Sequence, residues 1–297
     1  MTAVPATPAP ARAARAGALR AVLRNKLALV AISVLAVMVV LAVFAPLIAP
    51  YDPAAQDLLV RLRPPAWAAG GDAAHPLGTD QLGRDILSRL IHGARVSLLV
   101  GAAAALLAGV IGAIVGLVAG FVGGWPDRVL MRLADVQLAF PSILLALAIV
   151  GFLGSGLWYV IGVLGFTGWV SYARVVRSEV LSLRTREFVT EARAIGVGDV
   201  TIMRRHLLPN VMAPLATVGT LHVAAAIVAE ASLSYLGLGV PKQTVTWGGM
   251  LSDGQLYLGT AWWVAVFPGL ALMITALSVN ITGDVLRDVA DPKAYRS

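Results

Sequence analysis

The ionisable residues of this chain are few and unevenly placed, and their placement limits the chemistry they can do. Seven arginines fall between Arg174 and Pro209, with Glu179, Glu187, Glu191 and Asp199 among them, and the flanking runs carry no charge for more than twenty residues. Charge at this density cannot sit in hydrocarbon, so the segment is in water. It is also patterned. Phe188, Ala192 and Ile195 fall at i, i+4 and i+7 on one helical face, with Glu187 and Glu191 beside it. Gly196 and Gly198 interrupt that helix, and Asp199 is a suitable cap for the next. Val200, Met203 and Leu207 make a second apolar stripe, and Pro209 supplies a stop signal. Two short amphipathic helices in water suit the docking of a protein surface. A plain solvated linker needs neither stripe.

Two further residues have chemical potential inside apolar stretches. Glu230 is the one carboxylate in an apolar span, toward its outer half. A charge at a span centre costs roughly 2.5–3.5 kcal/mol on insertion scales, so such groups face a cavity or a partner. Glu230 therefore either lines a translocation path or bonds to a neighbouring helix. His222, two turns earlier, suits a packed polar residue better than a proton relay, with a place on the path as the alternative. Catalysis finds no support. The sequence has no H-E-x-x-H, no G-x-S-x-G and no G-x-x-x-x-G-K-[ST], since Lys26, Lys242 and Lys293 all lack that context. His75, His92, His206 and His222 are not spaced as a ligand set. Cysteine is absent, which removes disulfides and thiolate chemistry. Any nucleotide-driven work must come from another polypeptide.

The elements that position these residues are membrane spans. With 58% hydrophobic and 13% charged residues among 297, a soluble fold would have nowhere to bury its apolar surface. Five uncharged runs stand out, Leu27 to Ala49, Val96 to Phe121, Val136 to Ala173, Leu207 to Ala229 and Gly254 to Gly283. About 20 helical residues cross the roughly 30 Å hydrocarbon layer. The run from Val136 to Ala173 is too long for one crossing, and Gly154-Ser155-Gly156 offers a turn at its middle. It reads as two short spans, which makes six. Charge placement agrees. With six spans, 17 of the 23 basic residues lie on one side, together with the tail that carries Arg12, Arg15, Arg20, Arg24 and Lys26. By the positive-inside rule that side is cytoplasmic, and both termini are there. The net charge of +7 follows from this topology, with some attraction to anionic membrane lipid, and no aromatic-interleaved face for nucleic acid appears. The first apolar run is longer than a signal-peptide core and reads as a retained anchor.

The chain divides into a tail at 1–26 expected to be disordered, a six-span domain at 27–283, and a cytoplasmic tail at 284–297. The domain includes an external segment at 50–95 and the charged cytoplasmic loop at 174–209. Within the external segment the Pro- and Ala-rich start is expected to be irregular. Leu82, Ile86, Leu87 and Leu90 predict an amphipathic helix on the outer surface before the chain re-enters. Trp125 to Arg132 predicts a short cytoplasmic turn, and Pro141 a kink. Gly112, Gly116 and Gly120, four apart, suit close approach of a second helix.

These residues resemble those of the inner-membrane permeases of bacterial ABC importers, in particular the C-type permease of the dipeptide/oligopeptide group. That family's cytoplasmic signature places Gly196 and Leu208-Pro209 in register, within His206-Leu-Leu-Pro-Asn210. Thr190-Glu191-Ala192 stands where Glu-Ala-Ala is usual, so the glutamate is shifted by one. Further matching blocks are His75-Pro-Leu-Gly-Thr-Asp80, Leu82-Gly-Arg-Asp85, Gly93-Ala-Arg-Val-Ser97, Glu230 to Gly239, Trp247-Gly-Gly-Met-Leu251, Gly283 to Asp288 and Asp291-Pro-Lys293. The resemblance implies an all-α polytopic membrane protein with six transmembrane helices, the type I (MetI-like) importer permease fold. It also implies a second homologous permease subunit, two ABC ATPase subunits that bind ATP and magnesium, and an external solute-binding protein. This chain itself is expected to hold no cofactor. The coupling loop would comprise Glu187, Phe188, Thr190, Glu191, Ala192, Arg193, Ile195, Gly196 and Pro209. Peptides are the implied cargo, with nickel or glutathione as alternatives. An ion-coupled secondary transporter and a structural membrane subunit are rival classes.

Overall fold

The computed structural model describes residues 25–241 and 243–290. The predicted disordered tail, apart from its last two residues, and the Asp291-Pro-Lys293 block lie outside them. Helix α1 (Lys26–Val43) starts at Asn25, whose side chain accepts the Ala28 N–H at 3.2 Å. Phe44 and Pro46 turn the chain into the short α2 (Ala45–Ile48). The external segment that follows has little regular structure, as its composition predicts, but it is pinned. Leu62 N–H donates to the Asp80 carbonyl at 2.9 Å and Thr79 N–H to that of Arg63 at 2.9 Å. Trp263 Nε1 reaches the Thr79 carbonyl at 3.1 Å.

No separate surface helix precedes the second span. Asp85 caps a single helix, α3 (Ile86–Val122), of 37 residues, about 55 Å at 1.5 Å per residue. Leu82 lies in the turn before it. The predicted surface helix is instead the start of α3, and Trp247 packs against it at Gly93, its Cδ1 3.0 Å from where a side chain would begin. At that length α3 exceeds the roughly 30 Å hydrocarbon layer.

The predicted cytoplasmic turn at 125–132 is also helical. It belongs to α4 (Gly124–Leu138), followed by α5 (Ser142–Leu153), and the two meet at 88°. Pro141 thus breaks the helix rather than kinking it, because it lacks an N–H and biases Phe140 away from helical geometry. Asp127, Arg128, Arg132 and Asp135 make α4 the more polar of the two. The twelve residues of α5 span only about 18 Å. Among the described residues five helices are long and apolar enough to cross a membrane, and the count is six if the bent α4–α5 pair is one span.

The division at Gly154-Ser155-Gly156 matches the sequence reading. Gly154 takes φ +89°, and α6 (Leu157–Leu183) leaves from it. Because α6 runs to Leu183, Arg174 and Arg177 sit near its C-terminal end rather than in a loop. Next come α7 (Glu187–Ala194), α8 (Asp199–Ile202), a π turn (Met203–Leu207) and α9 (Leu208–Tyr235). Pro209 begins α9 instead of ending a helix. The π turn accommodates it, with Leu208 N–H bonding five residues back to Met203, so the missing proline N–H breaks no continuing ladder. Thr246 caps α10 (Trp247–Gly254), and α11 (Trp263–Ala290) carries the chain back across and on past Gly283 into the expected tail.

The glycine stripe packs α3 onto α6. A side chain at Gly116 would meet the Ala173 carbonyl oxygen at 2.6 Å, and one at Gly120 would meet Val180 at 2.9 Å, while Gly112 lies against Tyr172 and Trp169. Around this pair the core forms clusters. Ile86, Ile227, Trp247 and Trp263 pack in one, Val100, Val160 and Leu233 in a second, and Phe121, Val180, Val189 and Leu207 in a third.

Candidate functional site

The predicted docking residues meet at the end of the bundle where α6 stops and α7 begins. Glu187 opens α7 and Arg193 lies in its last turn, an order that suits the helix dipole. Thr190 Oγ1 donates to the Glu187 carbonyl at 2.8 Å. The buried face of α7 is Val189 and Ala192, which join Leu117 and Phe121 of α3, Val176 and Val180 of α6, and Ile202 and Leu207. Phe188 is half-buried, with its ring 6.4 Å from that of His206. The face differs from the predicted stripe in one respect. Val189 takes the place expected of Ile195, because the helix ends at Ala194 and the chain turns before Ile195 can reach the core.

That turn is a glycine-closed helix end. Val197 N–H donates to the Ala192 carbonyl and Gly196 N–H to that of Arg193, both at 3.0 Å, and Gly196 has φ +82°. This pair of bonds is the Schellman arrangement, which needs a left-handed residue where Gly196 stands. Val197 and Ala192 then pack together. Asp199 is the first residue of α8 rather than its cap. Gly198 holds the cap position, and Asp199 approaches Arg193 at 3.8 Å. The turn leaves Ile195 80% and Val200 73% exposed. Glu187, Thr190, Glu191, Arg193 and Pro209 are exposed with them, and Ser182, Thr185, Arg186, Glu187, Phe188 and Glu191 line an open groove alongside.

Arginines of α6, its C-terminal cap and α7 tie this end of the bundle together. The Arg193 guanidinium stacks on Phe121 at 4.6 Å, and Arg184 donates to the Gly120 carbonyl at 3.1 Å. Arg177 forms a two-point pair with Asp127 at 2.5 and 2.7 Å, and Arg174 meets Asp135 at 2.7 Å.

Glu230 and His222 lie far from that surface in sequence and function. Glu230 is fully buried. It accepts from Ser234 Oγ at 2.8 Å and from Ser97 Oγ of α3 at 3.2 Å. It therefore joins α9 to α3. His222 is half-buried against Gly168 and Tyr172, with the tyrosine ring edge-on at 5.2 Å, and it borders a cavity of about 130 Å³ with Ser142 and Thr167. The two residues are not brought together.

Sequence reasoning missed a charged group at the end of the bundle where α3 begins. Asp80 and Arg89 are both nearly inaccessible and pair directly. Arg84 Nε meets Asp80 at 2.7 Å, and Arg84 and Arg89 reach Asp253 at 3.2 and 3.3 Å. The i, i+4 spacing of Asp80 and Arg84 was a visible signal; the partner at Asp253 lies 169 residues away from Arg84.

The described residues form an all-helical bundle with five to six candidate membrane spans. Residues 112–295 match the family model for the binding-protein-dependent transport system inner membrane component, and residues 16–65 match the N-terminal TM domain of oligopeptide transport permease C. The chain belongs to this family of permeases, and it is a multi-pass inner-membrane protein. It is 44% identical to the di/tripeptide transport system permease protein DppC of Pseudomonas aeruginosa, over 91% of this chain and 89% of that one. It is 42% identical to an Escherichia coli glutathione transport system permease protein, GsiD, over 91% and 88%. Among solved structures it is similar to the MetNI methionine ABC transporter in inward-facing conformations. The TM-score is 0.55 at 21% identity, covering 68% of this chain and 96% of that chain.

Proposed function

We propose that this chain forms half of the membrane pathway of an ATP-driven importer for di- and oligopeptides, and that α7 is its coupling helix. The observation that carries the coupling reading is the exposure of Ile195 and Val200 on either side of a turn fixed by Gly196. Two apolar side chains held out into water by a closed turn match an apolar partner surface, and Glu187, Glu191 and Arg193 add charge at its rim. The partner is an ATPase subunit, since this chain has no P-loop of its own. ATP and magnesium are held there. A second homologous permease completes the pathway. The span of α9 supports that reading, with 22% of its most apolar window buried against 61% for α6. An external solute-binding protein delivers cargo. The peptide cargo rests on the names of the relatives. The glutathione-named relative fits the same chemistry, because glutathione is itself a tripeptide. Both termini face the cytoplasm.

One labelling experiment tests orientation and docking together. The chain has no native cysteine, so Asp72→Cys and Ile195→Cys each give a single thiol. An impermeant maleimide added to intact cells should label position 72 and not 195. In inside-out vesicles position 195 should label, and adding purified ATPase subunits should suppress it. Labelling of 195 from outside, or no protection by the ATPases, overturns the reading.

A further inference from the structure

Three segments far apart in sequence bring exposed aromatic side chains to the end of the bundle where α3 begins. Helix α11 carries a stripe of exposed aliphatic side chains, Val266, Leu270, Met273, Ile274 and Leu277, at the spacing of one helical face. In a membrane-spanning helix such a face is solvated by acyl chains. The stripe stops at Trp262, the residue before α11, which is also exposed. Helix α1 packs against α11 and behaves alike. Val37, Val40, Phe44 and Leu47 are exposed along it and just past it, and Tyr51 follows. Ala42 near the end of α1 and Val264 at the start of α11 share one packed cluster, so the two stripes end at one level.

The 50–85 segment adds Trp67 to that level. Trp67 is 65% exposed. Its ring stands edge-on to Phe267 of α11 at 6.1 Å, and Phe267 meets Trp262 at 5.8 Å. The loop that carries it is braced. Ala68 N–H donates to the Pro65 carbonyl and Gly71 N–H to that of Ala68, both at 2.9 Å, and Ala66 N–H donates to the Pro76 carbonyl at 3.2 Å. Arg63 and Asp72 close the loop as an ion pair at 2.5 Å, and they are the only charged residues between positions 63 and 72. An indole is thus held away from the protein on a fixed, neutral turn, at the end of a stripe that faces lipid. Tryptophan suits a boundary that is apolar on one side and wet on the other, and it concentrates where a bilayer meets water.

We propose that Trp67 is a membrane anchor, whose indole sits in the phospholipid headgroup layer beside Trp262 and seats the 50–85 segment on the bilayer surface. The segment then lies along the membrane as a collar instead of projecting into water. Its contacts with the lipid continue the lipid-facing stripes of α1 and α11.

The test uses the assembled complex in phospholipid nanodiscs, with accessible cysteines removed from the other subunits; this chain has none of its own. The fluorophore NBD on Trp67→Cys should be quenched most by a phospholipid with a nitroxide on its headgroup, less by one with the nitroxide deep in an acyl chain, and least by aqueous iodide. NBD on Leu270→Cys, in the α11 stripe, should reverse the first two. Ala69 is exposed on the same loop, so Ala69→Cys with Trp67 kept should follow the order seen at position 67. Adding Trp67→Asp should shift the label at 69 toward iodide, and adding Trp67→Tyr should not. A label at 67 quenched by iodide alone places the loop in water, and one reached by no quencher places it under a protein subunit. Either result overturns the proposal, as does loss of headgroup quenching when the solute-binding protein is added. Unchanged quenching at 69 in the Trp67→Asp variant would show that other contacts seat the segment, and overturns the anchor.

Discussion

Gly196→Val leaves the permease assembled in the membrane and removes most of the substrate-dependent ATP hydrolysis of the complex. The reason lies in the backbone. Gly196 has φ +82°, with nothing within 4 Å of where a side chain would begin, so valine meets no clash. It does meet a left-handed conformation that costs an L-residue roughly 1–2 kcal/mol, and a β-branched one more. Relief comes by opening the two bonds that close α7, which rotates Ile195 away from its partner. A shift of that size changes the population of the docked geometry by a factor of about 5–30, and stimulated ATPase activity should fall accordingly. Gly198→Ala is the control. Gly198 has φ −64° and open space around it, so its variant should couple normally. Equal loss in both variants, or none in Gly196→Val, would contradict the role of the turn.

Gly116→Leu acts on the bundle instead. A side chain at this position begins 2.6 Å from the Ala173 carbonyl oxygen and 2.7 Å from Val176 Cβ, both on α6, so α3 and α6 must separate. Overpacking of this kind costs about 1–3 kcal/mol or more, equivalent to a factor of about 5–150. The expected result is a matching loss of folded permease and of complex in detergent extracts. Gly162→Leu, on the same helix pair but with no atom within 4 Å, should leave the yield unchanged. Loss of yield in both would mean that any leucine in these helices is disruptive, and the close approach would carry no special weight.

Much of this architecture was legible because its signals are local. The glycine stripe from Gly112 to Gly120, the turn at Gly154 to Gly156 and the break at Gly196 each announce a backbone property that nearby residues decide. The readings that changed depended on packing. Pro209 looked like a stop, but a π turn from Met203 to Leu207 absorbs it. Leu82 to Leu90 looked like a separate surface helix, yet the helix there is the start of α3, against which Trp247 packs at Gly93. Ile195 shares a helical face with Phe188 and Ala192 only if the helix continues, and it ends one residue earlier. At Glu230 the sequence left a path and a structural bond equally open, and the hydroxyls of Ser97 and Ser234 are what place it in the packed interior. The Asp80, Arg84, Arg89 and Asp253 group could not be read, since its last member comes from α10. Its members each looked like ordinary charges of an outer loop.

The most direct measurement is peptide uptake by proteoliposomes that contain this chain, its partner permease, both ATPase subunits and the solute-binding protein. Labelled dipeptide should accumulate only with magnesium and ATP on the cytoplasmic face, and should cease when either ATPase is omitted. Accumulation driven by an imposed proton or sodium gradient in liposomes lacking the ATPases would contradict the account.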